Sequence, residues 1–223
     1  KVESMGWAMI IAAYMADQAT FDGLYKFYKS KRQGHGMMAW KVTCNGVNDG
    51  GSASDGDLDV AFAMVVASWQ WGGSYKDEAV SLINTVKKLI VNCGGTTVIA
   101  GGMAGMGTYG GCNETDISYH TPAFFRCFAE ITGNSRWDKL ADDTYTLLNN
   151  GANPSTGLIP DWQRLDGGQS DGGRNHSYGF DACRAPWRIA LDYLWNGNEK
   201  AKEWCTKISN WAYGIGPKNI KDG

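Results

Sequence analysis

The sequence has no hydrophobic run long enough to cross a bilayer. Its longest apolar stretches are of the order of Met9 to Met15 or Val60 to Ser68, far short of the ~20 residues a spanning helix needs, so no membrane partner is expected. It also lacks an excess of charge of either sign: 21 Lys and Arg stand against 23 Asp and Glu, mixed along the chain, for a net charge of −2. With no run of basic residues to track a phosphate backbone, nucleic acid is not expected as a partner either. Histidine is scarce, and His35, His120 and His176 show no ligand spacing. The six cysteines lie far apart with no C-x-x-C pair, so neither a metal site nor any other cofactor is expected. No cationic, apolar and small-residue segment stands at the start, so a secretion leader is not among these residues.

Of the cysteines, Cys44, Cys93 and Cys112 fall beside loops and are the candidates for a disulfide in an oxidising compartment, with the pairing open. What the chain does have is 30 glycines together with 10 tryptophans and 10 tyrosines, where a simple helical bundle would use more Leu and Ala. Glycine-rich loops carrying aromatics suit a carbohydrate groove. Trp40, Tyr109, Tyr119 and Trp162 each lie in or beside a loop, where an aromatic face can stack on a sugar ring.

Apolar residues recur at helical spacing eight times. The first two helices are marked by Trp7, Ile10, Ile11 and Tyr14, and by Phe21, Leu24, Tyr25 and Tyr28. Leu58 to Trp69 and Ala79 to Ile90 mark a second pair, joined by Trp71-Gly72-Gly73-Ser74. Phe124 to Ile131, opened by Pro122 and stopped at Gly133-Asn134, precedes a sixth through Trp137 and Leu148. A long loop, 149–180, leads to a seventh stopped at Asn196-Gly197, and Trp204, Ile208 and Trp211 mark an eighth. Trp69, Trp137, Trp187, Trp204 and Trp211 fall on these stripes and are assigned to the core. Thr97 to Ala100 and Leu158 to Trp162 are the only strand-like runs, too few for a sheet core. The fold class is all-α, with helical hairpins in series over a single domain, residues 1–223.

Three acidic strings carry the chemistry. In Ala53-Ser54-Asp55-Gly56-Asp57-Leu58-Asp59, three carboxylates alternate as a loop enters a helix. They are either helix-start acids or a site, and Leu58 and Val60 interrupt the donors a calcium loop would need. Phe180-Asp181-Ala182-Cys183-Arg184-Ala185-Pro186-Trp187-Arg188 sets an acid and two arginines before an apolar helix, marking a site or a buried ion-pair network. Val2-Glu3-Ser4-Met5-Gly6-Trp7 sets a lone carboxylate ahead of another apolar helix.

Together these strings resemble glycoside hydrolase family 8, whose members carry V-S-E-G-x-G-Y-G-M, L-M-A-W, A-[ST]-D-[AG]-D-L-D-[IV]-A and Y-D-A-x-R-x-P-W-R in that order. The resemblance runs from Glu3 to about Gly197 and takes in Met38-Ala39-Trp40, Ser118-Tyr119 and Gly157-Leu158-Ile159-Pro160-Asp161-Trp162. It implies an (α/α)6 toroid, of which the eight helices here would form an incomplete part, and an inverting hydrolase of β-1,4-linked polysaccharide. Residue by residue it implies Glu3 as proton donor, Asp181 as the base that activates water, and Asp55 as the residue that binds and distorts the sugar, with Arg184 and Tyr119 lining the same site. The substrates implied are cellulose, mixed-linkage glucan, xylan and chitosan, with cellulose and mixed-linkage glucan expected first. Chitosan would call for extra carboxylates to meet its amines, for which Glu114, Asp116 and Asp166 stand as candidates. A secreted enzyme is expected, and self-association is one way to cover helix faces that absent hairpins would bury. The readings from other classes are a catalytically impaired glycan-binding protein and a helical scaffold for protein partners.

Overall fold

The computed structural model describes residues 1–220 of the chain. Eight α-helices pair as four consecutive hairpins: α1 (Val2–Tyr14) with α2 (Gln18–Ser30), α3 (Ser54–Trp71) with α4 (Tyr75–Val86), α5 (Pro122–Thr132) with α6 (Arg136–Gly151), and α7 (Ala185–Asn196) with α8 (Glu199–Ile215). The expected punctuation is in place. Pro122 sits in the first turn of α5, while Gly133 and Gly197 close α5 and α7 in the left-handed region, at φ of 66° and 65°, where a residue with a Cβ is strained. The chain divides into two compact units, Lys1–Ile90 with Ala100–Tyr109, and Val91–Ile99 with Gly110–Gly223.

In the first unit α3 is buried on all sides from Ser54 to Ala67, which suits the segment Val60 to Ala67, apolar around its whole circumference, and takes three carboxylates of the first turns inside with it. Helices α1 and α4 pack on it. The face α1 uses is not the one its large residues suggest. Val2, Gly6, Met9, Ala12 and Ala13 are buried, whereas Trp7, Ile11 and Tyr14 are exposed. The reason is backbone proximity: a Cβ on Gly6 would lie 2.5 Å from Asp59 Cβ and 2.9 Å from the Gly56 carbonyl, and one on Gly56 would lie 2.6 Å from Glu3 N. Two glycines thus let the helices touch backbone to backbone, a contact that larger residues would forbid. Two antiparallel ribbons complete this unit, β1 (Lys41–Thr43) with β2 (Gly46–Asp49), and β5 (Gly102–Ala104) with β6 (Gly107–Tyr109).

The second unit includes the ribbon strand β4 (Thr96–Ile99), paired with β3 (Ile90–Cys93) and packed against α6. Its core gathers Val98, Ile117, Leu147, Leu148, Ile159, Ala182, Ile189, Trp204 and Ile208. Trp137 is fully buried, stacked on Phe125 and edge-on to Phe128. Trp204 is buried too, with its indole N–H donating to the Gly157 carbonyl at 3.0 Å. Trp69 and Trp187, assigned to the core from their spacing, are instead 63% and 41% exposed, and Trp211 is half-buried. Periodicity places residues on a stripe, but how wide a stripe is covered depends on what packs there.

A buried ion pair braces α5 against α7. Asp192, with no exposed side-chain surface, accepts from Arg126 Nε at 3.0 Å, and also from the Tyr145 hydroxyl, Asn196 and Asn198. Cys93 and Cys112 form a disulfide, and Cys44, the third candidate, is a free exposed thiol. Of the two strand-like runs, the first matches β4. Leu158 to Trp162 forms no strand, although the next residue, Gln163, bridges to Thr115.

Candidate active site

In the first unit, Glu3 lies in the first turn of α1 and Asp55 in the first turn of α3. The Gly6 and Gly56 contacts hold these two turns together. Asp55 is buried, and its carboxylate accepts the Gly56 N–H at 2.8 Å. Trp40 joins the same corner, because its carbonyl accepts the Val2 N–H at 3.0 Å. Its half-buried ring has the Lys1 and Lys41 amines 5.6 and 5.8 Å from the centroid. Tyr109 is half-buried on β6, its hydroxyl donating to the Ser52 carbonyl at 3.4 Å, next to the loop that enters α3.

All three carboxylates of the Asp55–Asp59 string are buried. Asp57 faces away from solvent onto Tyr28, whose hydroxyl donates to it at 2.6 Å. Burial, with the Asp55 charge adding to it, pushes the Asp57 carboxyl up to about 8. A group whose folded value lies above its unfolded one binds its proton more tightly in the folded state. The stability it contributes is therefore fully present below the unfolded value of 3.8 and is lost as pH rises through about 8. Urea titrations across that window should show stability falling with pH, and Asp57→Asn should flatten the slope. An unchanged slope in the variant would assign the dependence to another group.

In the second unit, Asp181 caps a single 3-10 turn, Ala182–Arg184, that runs into α7. Its side chain is 35% exposed and both oxygens are held. Oδ1 accepts from Arg184 Nη2 at 2.7 Å, and Oδ2 accepts from the Trp162 indole N–H at 3.1 Å. The guanidinium lies 5.3 Å from the Tyr119 ring centroid, and Tyr119 meets Trp162 edge-on at 5.8 Å. Arg184 and Trp162 therefore converge on one carboxylate that remains open to solvent, with Tyr119 packed against both, an arrangement that suits a base that must reach a water.

Trp162 is placed differently from the exposed platform expected of it. It is 5% exposed, with the Arg174 guanidinium 4.3 Å from its ring centroid, and its polar edge is engaged with Asp181. Two acids to which sequence reasoning gave no catalytic role stand behind Asp181. Asp116, fully buried, lies 3.8 Å from Arg184 Nη2 with its Oδ2 making no hydrogen bond. Burial first, and the Asp181 charge second, push its carboxyl well above the usual range. Asp161, also buried, accepts main-chain N–H groups from the turn that carries Asp181. His120 is buried between Thr115 and Thr144, and burial lowers it to about 3, so it serves as a neutral strut. The three carboxylates considered for an amine-bearing polymer are already engaged: Asp116 is buried, Glu114 pairs with Arg174 at 3.0 Å, and Asp166 pairs with Arg164 at 2.8 Å. Among the described residues no group of three His, Cys, Asp or Glu side chains is placed to hold a metal ion.

The profile of Glycosyl hydrolases family 8 matches residues 1–223. Endoglucanase 2 of Ruminiclostridium josui is 38% identical over 229 residues, covering 99% of this chain and 48% of its own length. The reducing end xylose-releasing exo-oligoxylanase of Bifidobacterium adolescentis is 26% identical over 221 residues, covering 90% of this chain and 57% of its own. Among solved structures, the beta-1,3-1,4-glucanase from Paenibacillus sp. X4 superposes with a TM-score of 0.82 at 30% identity, covering all of this chain and 65% of that one. The chain thus spans about half the length of the endoglucanase it matches.

Proposed function

Because the chain belongs to glycosyl hydrolase family 8, we propose that it hydrolyses β-1,4-linked glucan, cellulose or mixed-linkage glucan, at internal bonds with inversion. Glu3 gives its proton to the glycosidic oxygen as the bond to the anomeric carbon breaks. Asp181 takes a proton from the water that attacks that carbon from the opposite side, so the product is released as the α-anomer. Asp55 holds the sugar at the cleaved position, and Trp40, Tyr109 and Tyr119 offer faces for neighbouring rings. Arg184 and the Trp162 indole keep the base oriented.

The observation that carries this reading is the Asp181 carboxylate, fixed at both oxygens yet a third exposed. The family match runs through both compact units, which supports treating residues 1–223 as one catalytic domain. The Cys93–Cys112 disulfide supports a secreted protein. A xylan substrate is the second reading, favoured by the likeness to the B. adolescentis exo-oligoxylanase. Chitosan loses support because Glu114, Asp116 and Asp166 are already engaged.

The test is reducing-end release on a panel of β-1,4 polymers, with an NMR time course of the product anomers. Release from glucan with the α-anomer appearing first is expected. Earlier appearance of the β-anomer would overturn inversion, and binding without any release would select the impaired glycan-binding protein.

A further inference from the structure

Three main-chain N–H groups of the turn that presents Asp181 go to one carboxylate. Asp161 Oδ1 accepts from Gly179 N at 3.1 Å, Asp181 N at 3.1 Å and Ala182 N at 2.7 Å. Its Oδ2 accepts from Asn175 Nδ2 at 2.7 Å. Gly179 is shaped to this contact, since a Cβ there would lie 2.6 Å from Asp161 Oδ2. The Asp161 main chain is itself tied down, with its N–H donating to the Ser177 carbonyl at 2.9 Å, and the following residue is Trp162, whose indole N–H holds Asp181 Oδ2.

We propose that Asp161 is a positioning residue for the base, a proposal that rests on the reading of Asp181 above. Two adjacent residues grip Asp181 from both ends: Asp161 fixes the main chain from which it projects, and Trp162 fixes its carboxylate. The chemistry requires an ionised carboxylate at 161. Four donors converge there, and a carboxylate is acceptor-only on both oxygens. An asparagine keeps one oxygen for the three main-chain N–H groups but without the charge that strengthens those bonds, and it sets its amide N–H2 against the Asn175 N–H2, a donor facing a donor, which pushes the side chain off the turn and loosens its hold. A displacement of the base of the order of 1 Å is enough to cost about 100-fold in rate.

The experiment uses the full chain and the variants Asp161→Asn, Asn175→Ala and Trp162→Phe, with tryptophan indole nitrogens labelled for NMR. The Trp162 indole N–H resonance is assigned by its absence in Trp162→Phe. Asp161→Asn is expected to move that resonance upfield as its bond to Asp181 loosens, and to lower kcat about 100-fold with KM unchanged. Asn175→Ala, which removes one donor and leaves the turn N–H groups in place, is expected to move both in the same direction by less. Wild-type values of kcat and of the resonance in Asp161→Asn would overturn the proposal. So would a loss of kcat with the resonance unmoved, because the loss would then not run through Asp181. If Asp161→Asn does not fold, Asn175→Ala decides, and an unchanged resonance there counts against the clamp. Should the wild type release nothing from any polymer while the resonance still moves in Asp161→Asn, the functional reading fails and the clamp stands.

Discussion

Asp181→Asn is expected to lower turnover on soluble β-1,4-glucan by about 10³-fold, within the range general base catalysis contributes, while leaving polymer binding in place. The amide oxygen still accepts from Arg184, its N–H2 replaces the oxygen that faced the Trp162 indole, and the main-chain N–H of residue 181 stays anchored on Asp161, so the isosteric side chain disturbs the turn little. What is lost is the capacity to take a proton from water. Binding measured by affinity electrophoresis alongside reducing-end release separates the two effects. Turnover near the wild-type level would remove Asp181 from the role of base. Loss of binding together with turnover would instead assign it to holding substrate.

The largest effect on stability is expected from Asp192→Ala. Asp192 is fully buried and holds Arg126, Tyr145, Asn196 and Asn198 at once. Removing it leaves the Arg126 guanidinium, whose side chain is only 23% exposed, with the exposed Asp142 carboxylate as its remaining ion-pair partner. Breaking a buried ion pair by deleting one partner costs about 3–5 kcal/mol. For a chain of this size that lowers Tm by roughly 6–20 °C. A calorimetric scan showing less than a few degrees of change would mean that water replaces the carboxylate without difficulty.

The helix pairs were legible because each is long, periodic and closed by a recognisable stop such as Gly133 or Gly197. The buried face of α1 was not. There the closest contact is made by Gly6, which adds nothing to a hydrophobic pattern, while Trp7, Ile11 and Tyr14 dominate it and lie outside. Apart from β4, the ribbon strands escaped notice because strands of three or four residues are too short to show a period of two. In the site, the Asp181–Arg184 pair is an i, i+3 contact visible in the sequence. The role of Asp161 is not visible in that way, because three of its partners are main-chain N–H groups, which every residue but proline carries. Trp162 misled for a related reason: an aromatic in a loop reads as a stacking surface until its polar edge is found to be occupied.

The Cys93–Cys112 bridge spans the one stretch where the chain leaves the second unit, after Ile99, and rejoins it at Gly110. It therefore makes residues 100–109 an inserted excursion within a covalently closed ring. Exposed Met106, at the tip of the β5–β6 ribbon, is an open target for a protease. A cut there leaves the polypeptide in two pieces that only a reductant can part, so a nicked molecule would keep the second unit stapled.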